Sequence, residues 1–214
     1  MNESPELAMP VTSTYRQRQA AATKETITRA ALTLFAEQGY TRTTIEAIAR
    51  HARVSVATVY AVFGSKRQIL VEIRRLWFRE AELSGYVEQA LAEPDAAARL
   101  ALAARWIRHQ LEVGATVSLI IEEAIRSEPT VARMWSALRL VADDTISRVI
   151  GGVADQLAPG VTPSRAVDIV WALSRAAVYR ELIDERGWTP DEYERWLAAT
   201  LRQQLLGTDE SPAL

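Results

Sequence analysis

The residues ARHARVSVATVYAVFGSK, 49–66, have the types and spacing of two short helices joined by a tight turn. Such a pair can rest its first helix across a nucleic-acid backbone while the second turns its outer face to the major groove. With Val59, Val62 and Phe63 directed inward, a step of about 100° per residue puts Ala57 and Ala61 on the opposite side. Tyr60 then lies beside them, and Val56 and Thr58 flank the face. Methyl groups dominate this surface, so the chemistry open to it is contact with base edges, thymine methyls above all, rather than bond making.

Residues suited to catalysis are sparse. Cysteine is absent, and the two histidines, His51 and His109, are too far apart in sequence to form a helical ligand pair. The acid pairs Glu122-Glu123 and Asp143-Asp144 are adjacent, so each pair points to two different helix faces. The expectation is a protein that is not an enzyme, with no metal site, no disulfide and no cofactor.

A sequence of helix starts and stops must position the 49–66 motif. The first helix is predicted from about Arg18 to Gln38, with Ile27, Ala31, Leu34 and Phe35 on one stripe. Gly39 stands where a left-handed residue ends a helix. Thr43 and Glu46 have capping-box spacing for the second helix, and Ser55 caps the third. Gly64-Ser65 stops that helix, and Ser65 with Gln68 opens a fourth through Ile69, Ile73, Leu76 and Trp77. Residues 1–17 read as a flexible tail.

Beyond Gly85 the chain is rich in alanine and leucine. Pro94-Asp95 opens a helix through Leu102, Trp106 and Ile107, which Gly114 is expected to interrupt before 117–125. Glu128-Pro129 opens another, through Trp135, Leu138 and Val149, fading at Gly151-Gly152. Thr162 and Pro163 start a helix over 163–185, and Thr189-Pro190 with Glu192 starts the last. No convincing strand pattern occurs, so the fold expected is all-α with about nine helices.

Charge divides the chain as the motif does. Residues 15–67 carry nine basic side chains against three acidic ones, +6, while the whole chain is −2, which leaves −8 for the rest. A basic module on an acidic body suits phosphate binding at one end. Residues 1–14 do not resemble a secretory signal, and no apolar run approaches the ~20 residues of a membrane helix. The expected location is the cytoplasm, with no membrane partner.

Residues 27–70, ITRAALTLFAEQGYTRTTIEAIARHARVSVATVYAVFGSKRQIL, resemble the DNA-binding domain of TetR/AcrR-type transcriptional regulators. The shared features are AALTLFAEQGY, the Thr-Thr pair, EAIARHA, VS followed by TVY, and SK before an apolar pair. The resemblance implies a DNA-binding domain over 18–66, with its helix-turn-helix at about 44–63, and a ligand-binding and dimerisation domain over 67–214. It implies that Thr43 and Thr44 bind phosphate at a helix start, that Ser55 caps the reading helix, and that Thr58, Tyr60 and Lys66 reach backbone or bases. Arg53 departs from the pattern, standing where glycine is usual, and is either unstrained or strained to place a guanidinium near DNA. Val56 also departs, standing where lysine is common. With Val56, Ala57 and Ala61 against thymine methyls, Arg53 is the candidate for a charged base contact.

The resemblance further implies a homodimer, a double-stranded DNA operator and a hydrophobic or aromatic small-molecule effector, which together describe a ligand-released repressor. Trp77, Trp106, His109, Met134, Trp135 and Trp171 are the candidate ligand residues. Ala166, Ile169, Val170, Leu173, Ala176, Ala177, Trp196, Leu197, Thr200 and Leu201 are the candidate dimer surface, or alternatively an intramolecular core. The competing readings are a helical protein-interaction module and a transcription factor without an inducer pocket.

Overall fold

The computed structural model of the chain describes residues 11–81 and 83–207. Among these, ten α-helices occur and no strand: α1 Val11–Gln38, α2 Ile45–His51, α3 Val56–Phe63, α4 Lys66–Glu80, α5 Leu83–Ala92, α6 Ala96–Ser127, α7 Pro129–Gly151, α8 Pro163–Leu173, α9 Ala176–Arg180 and α10 Pro190–Leu206. A 3₁₀ turn at Ala154–Gln156 and a π turn at Glu181–Glu185 complete the order. Two compact units divide the chain after Ile73, within α4.

In the first unit α2 packs on α1 and on α3 around Ile27, Ala31, Leu34, Phe35, Ile48, Val59, Phe63 and Ile69, all buried. The Phe35 and Tyr40 rings meet at 5.2 Å, and Lys24 of α1 pairs with Glu72 of α4 at 2.7 Å. Gly39 ends α1 at φ 85°, as expected. The start of α1 differs from expectation, because residues 11–17 are helical rather than tail. No helix breaker stands between Val11 and Gln38, and Gln, Arg and Ala favour helix. Tyr15 to Ala20 are exposed, so propensity rather than packing carries that turn. Residues 1–10 of the expected tail, and the side chains of Leu138 and Asp143, lie outside the described residues.

The second unit is organised by α6, against which α5, α7, α9 and α10 pack, while α8 lies on α7 and α10. Asp95 caps α6 by accepting from Ala98 N–H at 2.8 Å, and Thr162 caps α8 by accepting from Arg165 N–H at 3.2 Å. Thr189 and Glu192 close a complete capping box on α10. α6 runs unbroken through Gly114, contrary to the expected interruption. Gly114 serves a close approach instead: a Cβ there would lie 1.9–2.4 Å from the Trp77 indole. Gly114→Ala is therefore expected to displace that ring and cost about 1–3 kcal/mol by overpacking, read as a lower urea midpoint with the Trp77 environment changed in fluorescence.

The helix expected over 163–185 is instead broken at Ser174 and Arg175. Arg175 is extended at φ −70°, ψ 133°, while its guanidinium pairs with Glu122 of α6 at 2.8 Å and lies over the Trp171 ring at 4.5 Å. A tertiary ion pair thus decides a boundary that local propensity does not mark. Among the described residues, no helix is long and apolar enough to cross a membrane.

Candidate functional site

The geometry of the first unit begins with the turn between α2 and α3. Arg53 N–H donates to Arg50 O at 3.2 Å and Val54 N–H to Ala49 O at 2.9 Å, the two closing bonds of a Schellman motif. Its left-handed position falls on Arg53, at φ 55° the one non-glycine residue with positive φ among those described. A side chain there costs about 1–2 kcal/mol relative to a right-handed residue. The alternative left open by the sequence is thus resolved towards strain. The Arg53 side chain is exposed and makes no hydrogen bond or ion pair with the described residues.

Ser55 caps α3, its Oγ accepting from Thr58 N–H at 3.0 Å and lying 2.8 Å from the Thr58 hydroxyl. Val59 and Phe63, one turn apart, bury the inner side of the helix. Ala57 and Ala61 are exposed on the outer side, Tyr60 is 49 % exposed, and Val56 and Thr58 are half-buried. Val62, expected inside, is 36 % exposed, because a helix of eight residues anchors through a single i, i+4 pair and leaves the next position at the rim.

Two expected phosphate contacts are spent inside the protein. Thr43 is 1 % exposed, and its hydroxyl lies 2.8 Å from Gly39 O and 3.2 Å from Leu34 O. The cap of α2 is accordingly Thr44, one residue later than the spacing suggested, accepting from Ala47 N–H at 3.2 Å. The Lys66 ammonium donates to Tyr40 O at 2.8 Å and Thr43 O at 3.1 Å, and sits 4.2 Å from the Tyr40 ring centroid. Both side chains tie down the segment linking α1 to α2, where carbonyls left over by the helix end need donors. Lys66→Met is expected to loosen this segment by about 1–3 kcal/mol, since buried acceptors lose their partner. Thermal unfolding would show the loss, while the salt slope of DNA binding by the folded fraction stays unchanged.

In the first unit, the exposed cations without a bond to the described residues are Arg16 and Arg18 on α1, Arg50 in the last turn of α2, and Arg53. Arg50 was not singled out by the sequence reading. Its signal was its position three residues before Arg53, on the exposed side of a helix whose Ile48 and Ala49 are buried.

The second unit contains a cavity of two adjoining lobes, about 210 and 220 Å³, that share Arg74, Phe78, Gln110, Glu122, Trp171 and Arg175. Trp106, Ile107 and Ile146 line one lobe, and Trp77, Ile121 and Trp135 the other. Of the candidate ligand residues, Trp77, Trp106, Trp135 and Trp171 line these lobes. His109 does not join them. Its ring stacks on Tyr86 at 4.6 Å and its Nε2 lies 2.9 Å from Ala81 O. Met134 is half-buried on α7 outside the lining.

Arg74 is one of the polar groups of this cavity, with Gln110, Glu122 and Arg175, that the candidate ligand residues do not include. Its guanidinium lies 4.3 Å from the Phe78 ring and 5.9 Å from the Trp135 ring, and burial lowers its pKa below the ordinary arginine value. The i, i+4 spacing of Arg74 and Phe78 was the available signal.

The expected dimer surface divides in two. Ala166, Val170, Ala176, Leu197 and Leu201 are buried within the protomer and so are corrected to intramolecular core. On α10 the stripe Tyr193, Leu197, Leu201, Leu205 faces inward in a helix packed along α6, which explains the correction. Ile169, Leu173, Trp196 and Thr200 are half-buried and Ala177 is exposed, so these five stay accessible to another surface.

Residues 27–73 match the family model for bacterial regulatory proteins of the tetR family. No curated protein matches the chain. Among solved structures, the chain is similar to NalD, the secondary repressor of the MexAB-OprM multidrug efflux pump in Pseudomonas aeruginosa, at 23 % identity and TM-score 0.66 over 88 % of this chain and 98 % of that one. It is similar to PfmR, a TetR family transcriptional regulator from Thermus thermophilus, at 24 % identity and TM-score 0.62 over 86 % and 99 %. FadR from Bacillus subtilis in complex with stearoyl-CoA gives 16 % identity and TM-score 0.66 over 86 % and 98 %. Residues 27–73 thus match the model of the tetR family of bacterial regulatory proteins, and the chain as a whole has the fold of these solved structures.

Proposed function

We propose that the chain is a homodimeric transcriptional repressor that binds a near-palindromic operator and releases it when a small hydrophobic or aromatic molecule fills the cavity of the second unit. The observation that carries the DNA reading is the strained Arg53, whose unpaired guanidinium stands at the turn beside the exposed face of α3. Strain kept at a surface turn is the mark of a functional position. Val56, Ala57 and Ala61 meet thymine methyls, Arg53 a base edge, and Thr44, Ser55, Thr58, Tyr60 and Arg50 the phosphates. Trp196, Thr200, Ile169, Leu173 and Ala177 are the residues available for the two-fold contact. Binding to DNA would place the protein in the cytoplasm.

The ligand reading is supported by the cavity, by FadR's complex with stearoyl-CoA, and by the continuity of α4. This one helix carries Ile69 and Ile73 of the first unit's core, then Trp77 and Phe78 on the cavity wall. A ligand that shifts the second half of α4 would act on the first half. The test is a gel shift on genomic fragments at low salt, repeated with the fragment found at rising salt. Retardation of no fragment would defeat the repressor reading.

Arg53→Gly separates recognition from strain. Glycine adopts the left-handed turn without penalty, though it gives back part of the gain through unfolded-chain entropy. Stability is expected to hold or rise by up to about 1 kcal/mol, while affinity for the operator falls about tenfold and discrimination against other sequences relaxes. Thermal unfolding with competition binding measures both, and a loss of stability would remove the argument from strain.

A further inference from the structure

We infer that the cavity of the second unit takes a small aromatic or apolar carboxylic acid, with its carboxylate on Arg74. This rests on the proposed ligand site and names the ligand's chemistry. Among the described residues, three charged side chains line the two lobes: Arg74, Arg175 and Glu122. Glu122 is already paired with Arg175 at 2.8 Å, so the described residues of the wall carry one uncompensated positive charge. Arg74 meets ring faces but no carboxylate among the described residues. A guanidinium removed from water without an anion is costly, and its planar fork matches a carboxylate in two parallel bonds.

The other unspent polar atom also asks for an acceptor. Trp106, on the wall of one lobe, has a buried indole N–H without a partner. The Trp77 indole N–H is likewise unpartnered, but its edge is pressed towards Gly114 and is occupied by packing. Around these donors the surface is Phe78, Trp106, Ile107 and Trp171, suited to a ring system. The adjoining lobes, about 210 and 220 Å³, together reach only the lower part of the ~300–1,000 Å³ range of drug-sized sites. The size fits a body of one or two rings rather than a long acyl conjugate.

A cation would face Arg74 with Glu122 already neutralised, and a neutral ligand would leave the half-buried Arg74 without an anion. Arg74 also has a place in the proposed response. It directly follows Ile73, which is fully buried in the core of the first unit, on the same helix. An acid that draws Arg74 towards itself therefore pulls on α4 at the residue next to that core.

The probes are 2-naphthoate, its neutral amide and the cation 2-naphthylmethylamine, titrated into the full chain and followed by tryptophan fluorescence. The naphthoate is expected to bind at least tenfold more tightly than the amide or the amine. Arg74→Met should bring the acid down to the affinity of the amide, and Arg74→Lys should keep part of the preference. Naphthalene-2-sulfonate binding as tightly as the naphthoate would overturn the assignment to a carboxylate. Equal affinities of acid and amide in the unmodified chain, or a preference that survives Arg74→Met, would overturn the inference while leaving the cavity as a ligand site. Binding of no probe at millimolar concentration would overturn both. Should Arg74→Met fail to fold, the acid-to-amide ratio of the unmodified chain and of Arg74→Lys still decides.

Discussion

In urea, the Arg99→Met chain is expected to lose about 1.5–3 kcal/mol of the stability of its second unit, the range for hydrogen bonds to a charged group. Arg99 is 7 % exposed, and its guanidinium donates to Glu93 O at 2.6 Å, Leu91 O at 3.1 Å and Val149 O at 3.4 Å. These carbonyls belong to the ends of α5 and α7 and the segment after α5, where backbone acceptors have no intrahelical donor. The negative ends of two helices thus stabilise a buried cation that pairs with no carboxylate among the described residues. Methionine keeps most of the volume but removes every donor, so the acceptors are left dry. Gly152 supplies an internal check, because a Cβ there would lie 1.7 Å from Arg99 Nη1. Gly152→Ala should push in the same direction, and the double variant should lose less than the two single losses combined. An unchanged midpoint for Arg99→Met would show that the carbonyls find other donors.

Arg99 also marks where sequence reasoning ends. Caps are local, so Ser55, Asp95, Thr162 and the Thr189–Glu192 box were legible from the order of residues and reappear as hydrogen bonds. Apolar periodicity was legible for the same reason, and it placed Val59 and Phe63 correctly. What it does not encode is which surface covers a stripe. Leu197 and Leu201 have the spacing of an interface, and α6 of the same chain takes them.

Hydroxyl and ammonium groups meet the same limit. Thr43 and Lys66 carry the right donors for phosphate, but the fold brings carbonyls of Leu34, Gly39 and Tyr40 within reach first. Glycine has two meanings that a sequence does not separate, a break or a close approach. Gly39 is the first and Gly114 the second, and only the nearness of Trp77 distinguishes them. The i, i+4 spacing of Arg74 and Phe78 says that the two side chains can meet, but nothing local says that they will border a cavity.

Ala61→Glu is expected to abolish specific operator binding, at least 100-fold or about 2.7 kcal/mol, without moving the unfolding midpoint. The position is exposed on α3, so no packing is lost, and glutamate is a good helix former. Its effect falls on DNA alone: a carboxylate replaces a methyl on the face proposed to enter the major groove, where phosphates line both walls. Arg50 and Arg53 stay in place, so weak sequence-independent binding should persist with nearly the native salt slope. That remainder distinguishes a blocked reading helix from a misfolded domain, which would lose both. Ala61→Ser is the milder companion, losing the methyl contact while adding no charge, and should cost only a few fold. If Ala61→Glu bound the operator as tightly as the native chain, α3 would not be the reading helix, whatever the family match over 27–73.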